Sequence, residues 1–388
     1  MSTAAHPNPA LPLEPFKNLL NASVVAHAAA QLSRAAPDFD AKRFQRLATR
    51  GLDALEFKAR ADHIASALQA CLPADFDQAA TMLEAALAPP KPVDESGPTE
   101  SHTDGLAGWI LWPAGEFVAR AGLQHPQRAL AALHAFTQRF TAEFAIRPFI
   151  QAHPDLVIKT LARWATDPSP HVRRLVSEGS RPRLPWGLRL AALVKDPSPT
   201  LPLLAALQDD PSDYVRRSVA NHLNDIAKDH PQVVVAWVRD HLGDAPPQRR
   251  ALLRHASRSL VKQGHAETLA LWGLGTPFKG EAAFTLAPKR LRVGEALQFS
   301  LKLRSTARKA QPLEIDYVLH HVKANGSTSP KVFKGWKLDL AADATRELAK
   351  RHSMKAVTTR RYHAGEHRVD IQINGKVVAG AAFQLVLA

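Results

Sequence analysis

The sequence predicts a mainly α-helical chain: a HEAT-like helical-repeat solenoid followed by a C-terminal immunoglobulin-like β-sandwich. Three observations predict it. First, residues 167–179, DPSPHVRRLVSEG, are repeated 43 positions later as DPSDYVRRSVANH, residues 210–222. A period of about 40–47 residues is that of HEAT-type helical repeats. Second, prolines at 148, 154, 168, 182, 185, 197, 211, 231 and 246 divide the centre of the chain into short segments, as helices joined by tight turns require. Third, the texture changes after Gly275. Stretches such as ALQFSLKLRS, LEIDYVLHHVK and HRVDIQINGKVVAG alternate apolar and polar residues with a period near two, and Asn374-Gly375 between two such runs signals a type I′ hairpin.

The elements follow in order. Residues 1–87 begin with a leader, MSTAAHPNPALPLEP, and continue as the N-terminal helical part of the solenoid, with Leu19, Leu20, Val24, Val25, Phe44 and Leu47 at helical spacing. Residues 88–105, APPKPVDESGPTESHTDG, read as a flexible linker or loop. Residues 106–274 carry the HEAT-like repeats. The Asp-Pro pairs Asp167-Pro168 and Asp210-Pro211 are expected to cap and start the two repeat helices. Residues 275–388 hold about seven strands, a number that suits an immunoglobulin-like sandwich.

Composition narrows the function. The formal charge is +14, which favours an anionic partner such as nucleic acid. Residues 276–388 hold 20 Lys and Arg against 9 Asp and Glu, so the C-terminal part carries most of the excess. A single cysteine, Cys71, excludes intrachain disulfides and multi-cysteine zinc sites and suits a reducing cytosol. No apolar run approaches the roughly 18 residues of a membrane span. No P-loop, GxGxxG, HExxH or GxSxG is found, and no metal or nucleotide cofactor is expected.

Polar residues recur in register with the repeat. In the second repeat helix Arg217, Asn221, Asn224 and Lys228 share a face distinct from the apolar Val215, Val219, Leu223 and Ile226. A third helix, RRALLRHASRSLVK, aligns on its own Arg-Arg pair: Arg250 and Arg254 match Arg217 and Asn221, with Arg258 and Lys262 one residue past the matches of Asn224 and Lys228. In the first repeat the matching positions are Arg174, Glu178 and Arg181. Stacked side by side, three such helices would make a basic wall whose guanidinium forks suit phosphate oxygens; one such helix alone could equally be a solvated face with local ion pairs. Glu178 reads either as a salt-bridge partner of Arg174 or Arg181 or as an anion held near a bound cation. Glu143 and Arg147 are spaced i, i+4, as a helix ion pair would be. Trp112 and Glu116 lie in GWILWPAGEFVAR, and Trp164 and Trp186 flank the first repeat; such aromatics serve core packing or stack on bases and cations.

These words resemble a family. SEGSRPRLPWG (177–187), YVRRSVANHLNDIAKDHP (214–231), ILWPAGEF (110–117), TAEFAIRPF (141–149) and PFKNLLN (15–21) are similar to the bacterial AlkC-type DNA alkylation repair glycosylases, over nearly the whole chain. The resemblance implies hydrolysis of the N-glycosidic bond of cationic alkylated bases, of the 3-methyladenine and 3-methylcytosine class, in base excision repair and without base flipping. It implies carboxylates and aromatics on the inner face of the solenoid. The candidates are Glu116, Glu143 and Glu178 with Trp112, Trp164 and Trp186, and Asp225 stands behind them. The DNA-binding candidates are Arg147, Arg174, Arg181, Arg217, Asn221, Asn224, Lys228, Arg254, Arg258 and Lys262, with Lys350, Arg351, Arg360 and Arg361 as loop contacts from the sandwich. The expected partner is double-stranded DNA containing alkylated bases, met by a cytoplasmic monomer. The alternatives are a non-catalytic nucleic-acid binder of the same architecture and a protein-interaction scaffold.

Overall fold

The computed structural model describes residues 15–90, 104–357 and 360–387. The leader expected before Pro15 and most of the expected 88–105 linker lie outside them. The chain forms two compact units that divide after Asp229, and among the described residues no helix is long and apolar enough to cross a membrane.

The first unit is helical. Its helices are α1 (Ala22–Ala35), α2 (Ala41–Thr49), α3 (Phe57–Cys71), α4 (Phe76–Ala85), α5 (Leu111–Ala121), α6 (Pro126–Thr137), α7 (Arg147–Ala152), α8 (Pro154–Trp164), α9 (Pro170–Gly179), α10 (Ala191–Lys195), α11 (Leu201–Leu207) and α12 (Asp213–Ile226). The early helices are capped by side chains: Asn21, Asp40 and Asp75 accept from the backbone N–H groups of Val24, Arg43 and Gln78 at 2.9–3.0 Å. Later ones open on proline, as at Pro126, Pro154 and Pro170, where the missing N–H is no loss. Helix α9 packs on α12, α3 on α5, and α1 on α2. The repeat is visible as helix starts 43 residues apart, at Pro170 and Asp213.

The second unit begins with α13 (Pro231–Leu242), α14 (Pro247–Ala256), α15 (Arg258–Lys262) and α16 (Ala266–Leu271). RRALLRHASRSLVK is therefore two helices broken at Ser257, not one. A two-sheet sandwich follows, with eight strands among the described residues where about seven were expected: β1 (Gly280–Ala287), β2 (Arg290–Arg292), β3 (Ala296–Ser305), β4 (Gln311–Val322), β5 (Thr328–Leu340), β6 (Thr345–Ser353), β7 (Gly365–Ile373) and β8 (Lys376–Val386). One sheet has the order β1-β3-β6 and the other β2-β8-β7-β4-β5. All pairings are antiparallel except β2 with β8. In β3 the buried Leu297, Phe299, Leu301 and Leu303 alternate with exposed Gln298, Ser300 and Lys302, so one face meets the core and the other meets water. Asn374 and Gly375 join β7 to β8 with φ of 49° and 76°, the left-handed pair that a type I′ turn demands.

Candidate active site and nucleic-acid interface

The site in the first unit is built on repeated turns. In Asp167-Pro168-Ser169 and Asp210-Pro211-Ser212 the aspartate accepts from the serine N–H at 2.8 Å, and Asp196-Pro197-Ser198 does the same at 2.9 Å. These are Asx turns. The Asp-Pro pairs therefore precede the helices, which start at Pro170 and Asp213, instead of forming their first turns. The first arginine of each Val-Arg-Arg word then hooks back on its own turn. Arg173 donates to the carbonyls of Asp167 and Pro168 at 2.8 and 3.0 Å, and Arg216 to those of Asp210 and Pro211 at 2.5 and 2.8 Å.

From this frame an alternating chain of charges runs through the packing of α9 on α12. Arg174 Nη1 meets Glu143 Oε2 at 2.7 Å, and its Nη2 lies 3.8 Å from Glu178 Oε1. Arg181 donates to Glu178 Oε1 at 2.6 Å and to Asp225 Oδ2 at 2.8 Å, and Lys228 closes the chain on Asp225 Oδ1 at 2.8 Å. Ser218 Oγ donates to Glu178 Oε2 at 2.6 Å. Burial alone would raise the Glu178 carboxyl, but Arg174, Arg181 and the Ser218 hydroxyl outweigh it and hold the group below the usual carboxylate range. With both oxygens bonded and 6% of its surface exposed, Glu178 holds the two guanidiniums and presents no oxygen to a substrate. The salt-bridge reading of this residue is the one the geometry takes, and Asp225, 1% exposed, is engaged in the same way.

Beside the charges stands an aromatic wall. Trp112 stacks on Phe144 at 4.7 Å, touches Phe57 at 5.0 Å and donates Nε1–H to Glu116 Oε1 at 3.1 Å. The i, i+4 spacing on α5 makes that bond, and Gly115 lets α5 approach Ala145, whose Cβ is 3.1 Å from where a Gly115 side chain would start. Trp109 bridges to Phe57, Phe140 and Phe16 at 5.4, 4.8 and 5.1 Å. Phe16 reaches Trp186 at 5.9 Å. Trp186 is 68% exposed and has φ of 64°, a left-handed conformation that costs a bulky residue about 1–3 kcal/mol and collects at functional sites. The segment around it is pinned: Arg183 forks onto Asp229 with two 2.6 Å bonds, Leu190 N–H closes on Pro182 O at 3.2 Å, and Arg147 donates to Leu188 O at 2.5 Å and Gly179 O at 2.8 Å.

Several expectations change. Arg147 has no exposed surface, so it cannot meet a phosphate. It does not pair with Glu143 either, because residues 143–146 are turns and α7 starts at Arg147 itself. Burial, with Arg181 near, pushes its guanidinium down to about 10, still charged at neutral pH. Arg181, 8% exposed, is likewise internal, and Arg174 is committed to Glu143 and lies over Tyr214 at 4.9 Å. Trp164 packs on His134, which is bonded to Asp167, and no ring contact joins it to the aromatic wall among the described residues. Asn224 is 4% exposed and Asn221 half-buried, whereas Arg217 and Lys228 keep 69% and 45% of their side chains exposed. In the second unit Arg254 turns to Glu314 on β4 and stacks over Trp272 at 5.1 Å, and burial lowers its pKa. Arg254, the position matched to Asn221, is therefore engaged within the second unit. Arg258 donates to His255 O at 2.6 Å, and Lys262 is half-buried beside Asp316. Lys350 and Arg351 lie on β6, not in a loop, and Lys350 donates to Lys334 O and Gly335 O. Arg360 and Arg361 lie between β6 and β7, with Arg361 exposed. The sequence reading did not single out Phe16 and Phe57 for the wall; the word PFKNLLN was the signal for the first.

Comparison with known proteins agrees with this architecture. Residues 140–260 match the family described as DNA alkylation repair enzyme, and residues 281–387 match the C-terminal Ig-like domain of uncharacterised protein YhaZ. The chain is 36% identical to uncharacterized protein YhaZ of Bacillus subtilis over 95% of its own length and 99% of that protein. The structure of Pseudomonas fluorescens alkylpurine DNA glycosylase AlkC, bound to DNA containing an abasic site analog, superimposes with a TM-score of 0.87 at 35% identity, covering 95% of this chain and 99% of that one. The chain belongs to the family of DNA alkylation repair enzymes that includes YhaZ and the glycosylase AlkC.

Proposed function

We propose that this protein is a DNA glycosylase. It hydrolyses the N-glycosidic bond of cationic alkylated bases, of the 3-methyladenine and 3-methylcytosine class, in duplex DNA, and it does so without drawing the base into a pocket. The observation that carries the reading is the Trp112–Glu116 pair set in an aromatic wall that ends at exposed Trp186. A cationic base leaves as a neutral molecule and needs no general acid. As its bond to C1′ breaks, positive charge develops on the deoxyribose. Glu116 is the carboxylate best placed to stabilise that charge and to orient the attacking water. The water oxygen bonds to C1′, its proton passes to the carboxylate and then to solvent, and the products are free methylated base and an abasic sugar. Glu143 keeps its Oε1 clear of its bonds to Arg174 and Thr141 and stands second. Aromatic faces add cation–π attraction of about 0.5–2 kcal/mol each.

The helical region is proposed to be a HEAT-like solenoid whose 106–274 part meets DNA through its exposed cations, Arg217 and Lys228 first, with Arg258, Lys262, Lys350, Arg351, Arg360 and Arg361 as further backbone contacts and Asn221 and Asn224 at the margin. The working form is taken to be a cytoplasmic monomer. The test is single-turnover release of free base from methylated duplex DNA. Glu116→Gln is expected to slow release about 10²–10⁴-fold with DNA affinity kept. Failure of the unaltered protein to release base from any alkylated duplex would sink the reading.

A further inference from the structure

Arg60 and Arg147 head the fully buried side chains by volume. Each directs its guanidinium at backbone carbonyls. Arg60 donates from Nη1 to Lys17 O and Leu20 O at 3.1 and 2.9 Å, from Nη2 to Asp53 O at 3.1 Å and from Nε to Leu55 O at 3.0 Å. Arg147 holds Leu188 O and Gly179 O. A buried guanidinium is costly unless its donors are satisfied, and here they are aimed at backbone carbonyls. What the two arginines share is their cargo. Arg60 fixes the turn Phe16–Leu19, and Arg147 fixes the segment that carries Trp186.

Those segments put Phe16 and Trp186 side by side as tilted rings, with centroids 5.9 Å apart and planes at 49°. Phe16 is 47% exposed although its inner side rests on Phe57 at 4.5 Å and Trp109 at 5.1 Å. Of the large hydrophobic side chains exposed among the described residues, Phe16, Leu19, Trp186 and Leu188 come from these two short segments, and the other three are scattered through the sandwich. A concentrated apolar patch on a soluble surface marks a binding site. The segments 15–20 and 181–190 contain Lys17, Arg181, Arg183 and Arg189 and no acidic residue. Lys17 and Arg183 are ion-paired with Glu56 and Asp229 and Arg181 is internal, so exposed Arg189 is the cation that edges the ridge, and an exposed aromatic ridge beside a guanidinium fits a nucleotide within a polyanion.

We infer that Phe16 is a second aromatic contact for the damaged nucleotide. With Trp186 it forms an open V of two rings on which the sugar and base edge of one nucleotide pack. Arg60 and Arg147 are positioning residues that set the V before DNA arrives, so that little ordering cost remains at binding. This rests on the glycosylase reading above and adds to it a contact from the N-terminal turn.

The experiment measures two quantities for each variant. One is the affinity ratio for duplex DNA with an abasic-site analogue over undamaged duplex; the other is single-turnover base release. Phe16→Leu keeps an apolar seat on Phe57 and Trp109 but removes the ring, and it is expected to lower the ratio about tenfold with undamaged DNA bound as before. Phe16→Ala in the Trp186→Ala background is expected to cost less than in the unaltered protein. Arg147→Lys keeps the charge without the fork. It is expected to lower the ratio by a similar factor and to add nothing once Trp186 is Ala. An unaltered ratio and rate in Phe16→Leu would overturn the inference, and an undiminished loss for Arg147→Lys in the Trp186→Ala background would assign Arg147 a purely structural role. Absence of base release from the unaltered protein would overturn the glycosylase reading instead, while the affinity ratio still decides the role of Phe16.

Discussion

Helices α9 and α12 begin from the same word and put it to different uses. In both, the first arginine of Val-Arg-Arg returns to the carbonyls five and six residues earlier. The second arginine diverges. Arg174 is drawn inward by Glu143 from the turn before α7 and by Glu178 one helical turn later. Arg217 has Asn221 where α9 has Glu178, and its acid, Asp213, lies one turn earlier, so it stays 69% exposed on the outside. The repeat persists where backbone carbonyls need a donor, and it breaks where neighbouring acids decide which way a guanidinium points. One copy thus becomes an internal brace and the other a surface cation.

The largest expected effect sharpens that contrast. Arg174→Met leaves Glu143 and Glu178 short of a counter-charge in a largely buried place and should cost about 3–5 kcal/mol of stability. Arg217→Met should cost no more than about 0.5 kcal/mol. Urea unfolding of the two variants checks this, and equal losses would remove the distinction between brace and surface cation.

A pH experiment separates the helices again. His222 of α12 is buried and bonded to Ser177 O at 2.9 Å. Its repeat equivalent in α9 is Gly179, which has nothing to titrate. Burial, aided by Arg181 against the Ser177 carbonyl, lowers the His222 imidazole to about 4. The folded protein therefore takes up this proton later than the unfolded chain does. The stabilisation is complete above the free imidazole value near 6.5 and is lost as pH falls from there towards 4, by roughly 3 kcal/mol in all. The depressed carboxyl of Glu178 adds a second loss, beginning below the ordinary carboxylate pKa of about 4.5. Stability measured from pH 7 to 4 should decline in the unaltered protein and run flatter between 6.5 and 4.5 in His222→Gln. An identical slope in both would show that His222 is not the group responsible.

Much of the fold was legible because its signals are local. The 43-residue period, the proline breaks, the two-residue alternation of β3 and the Asn374-Gly375 turn each act within a few residues of themselves. Trp112 and Glu116 were legible as candidates from the word GWILWPAGEFVAR, and their bond on one helix is what the structure adds. The remainder depends on distant partners. Glu143 and Arg147 have helical spacing, yet the chain between them is turned, and Arg147 answers to carbonyls 32 and 41 residues away. Arg254 is matched to Asn221 by the Arg-Arg alignment and expected to face DNA, but its acid arrives on a strand 60 residues later. Phe16 meets Phe57 and Trp186 only after the helices between them have packed.

The next effect in size concerns the shared hook. Arg173→Lys and Arg216→Lys replace a fork by a single ammonium and should each cost about 1–2 kcal/mol. Arg173→Lys should stand at the upper end, because Arg173 also forks onto Asp210 at 2.6 and 3.0 Å, whereas Arg216 meets Asp213 at 3.4 Å on an exposed rim. Denaturant midpoints for the two variants test the order. The reverse order would mean that the carbonyl hook, not the link from α9 to the next repeat turn, dominates.

The smallest effect on stability is the most informative about DNA. Arg217 is exposed and its pair with Asp213 is screened by water, so Arg217→Ala should leave stability within about 0.5 kcal/mol. If its guanidinium displaces one counterion from a phosphate, the slope of log K against log salt should shrink in magnitude by about 0.9 in that variant. Arg216 lies next to it in sequence but is turned into the Asp210-Pro211 carbonyls, so Arg216→Ala should do the opposite: weaken the fold and leave the slope alone. Titrations of both variants over a range of salt distinguish the two arginines directly. A changed slope in Arg216→Ala, or an unchanged one in Arg217→Ala, would mean that the DNA-facing side of α12 is not the side its exposure indicates.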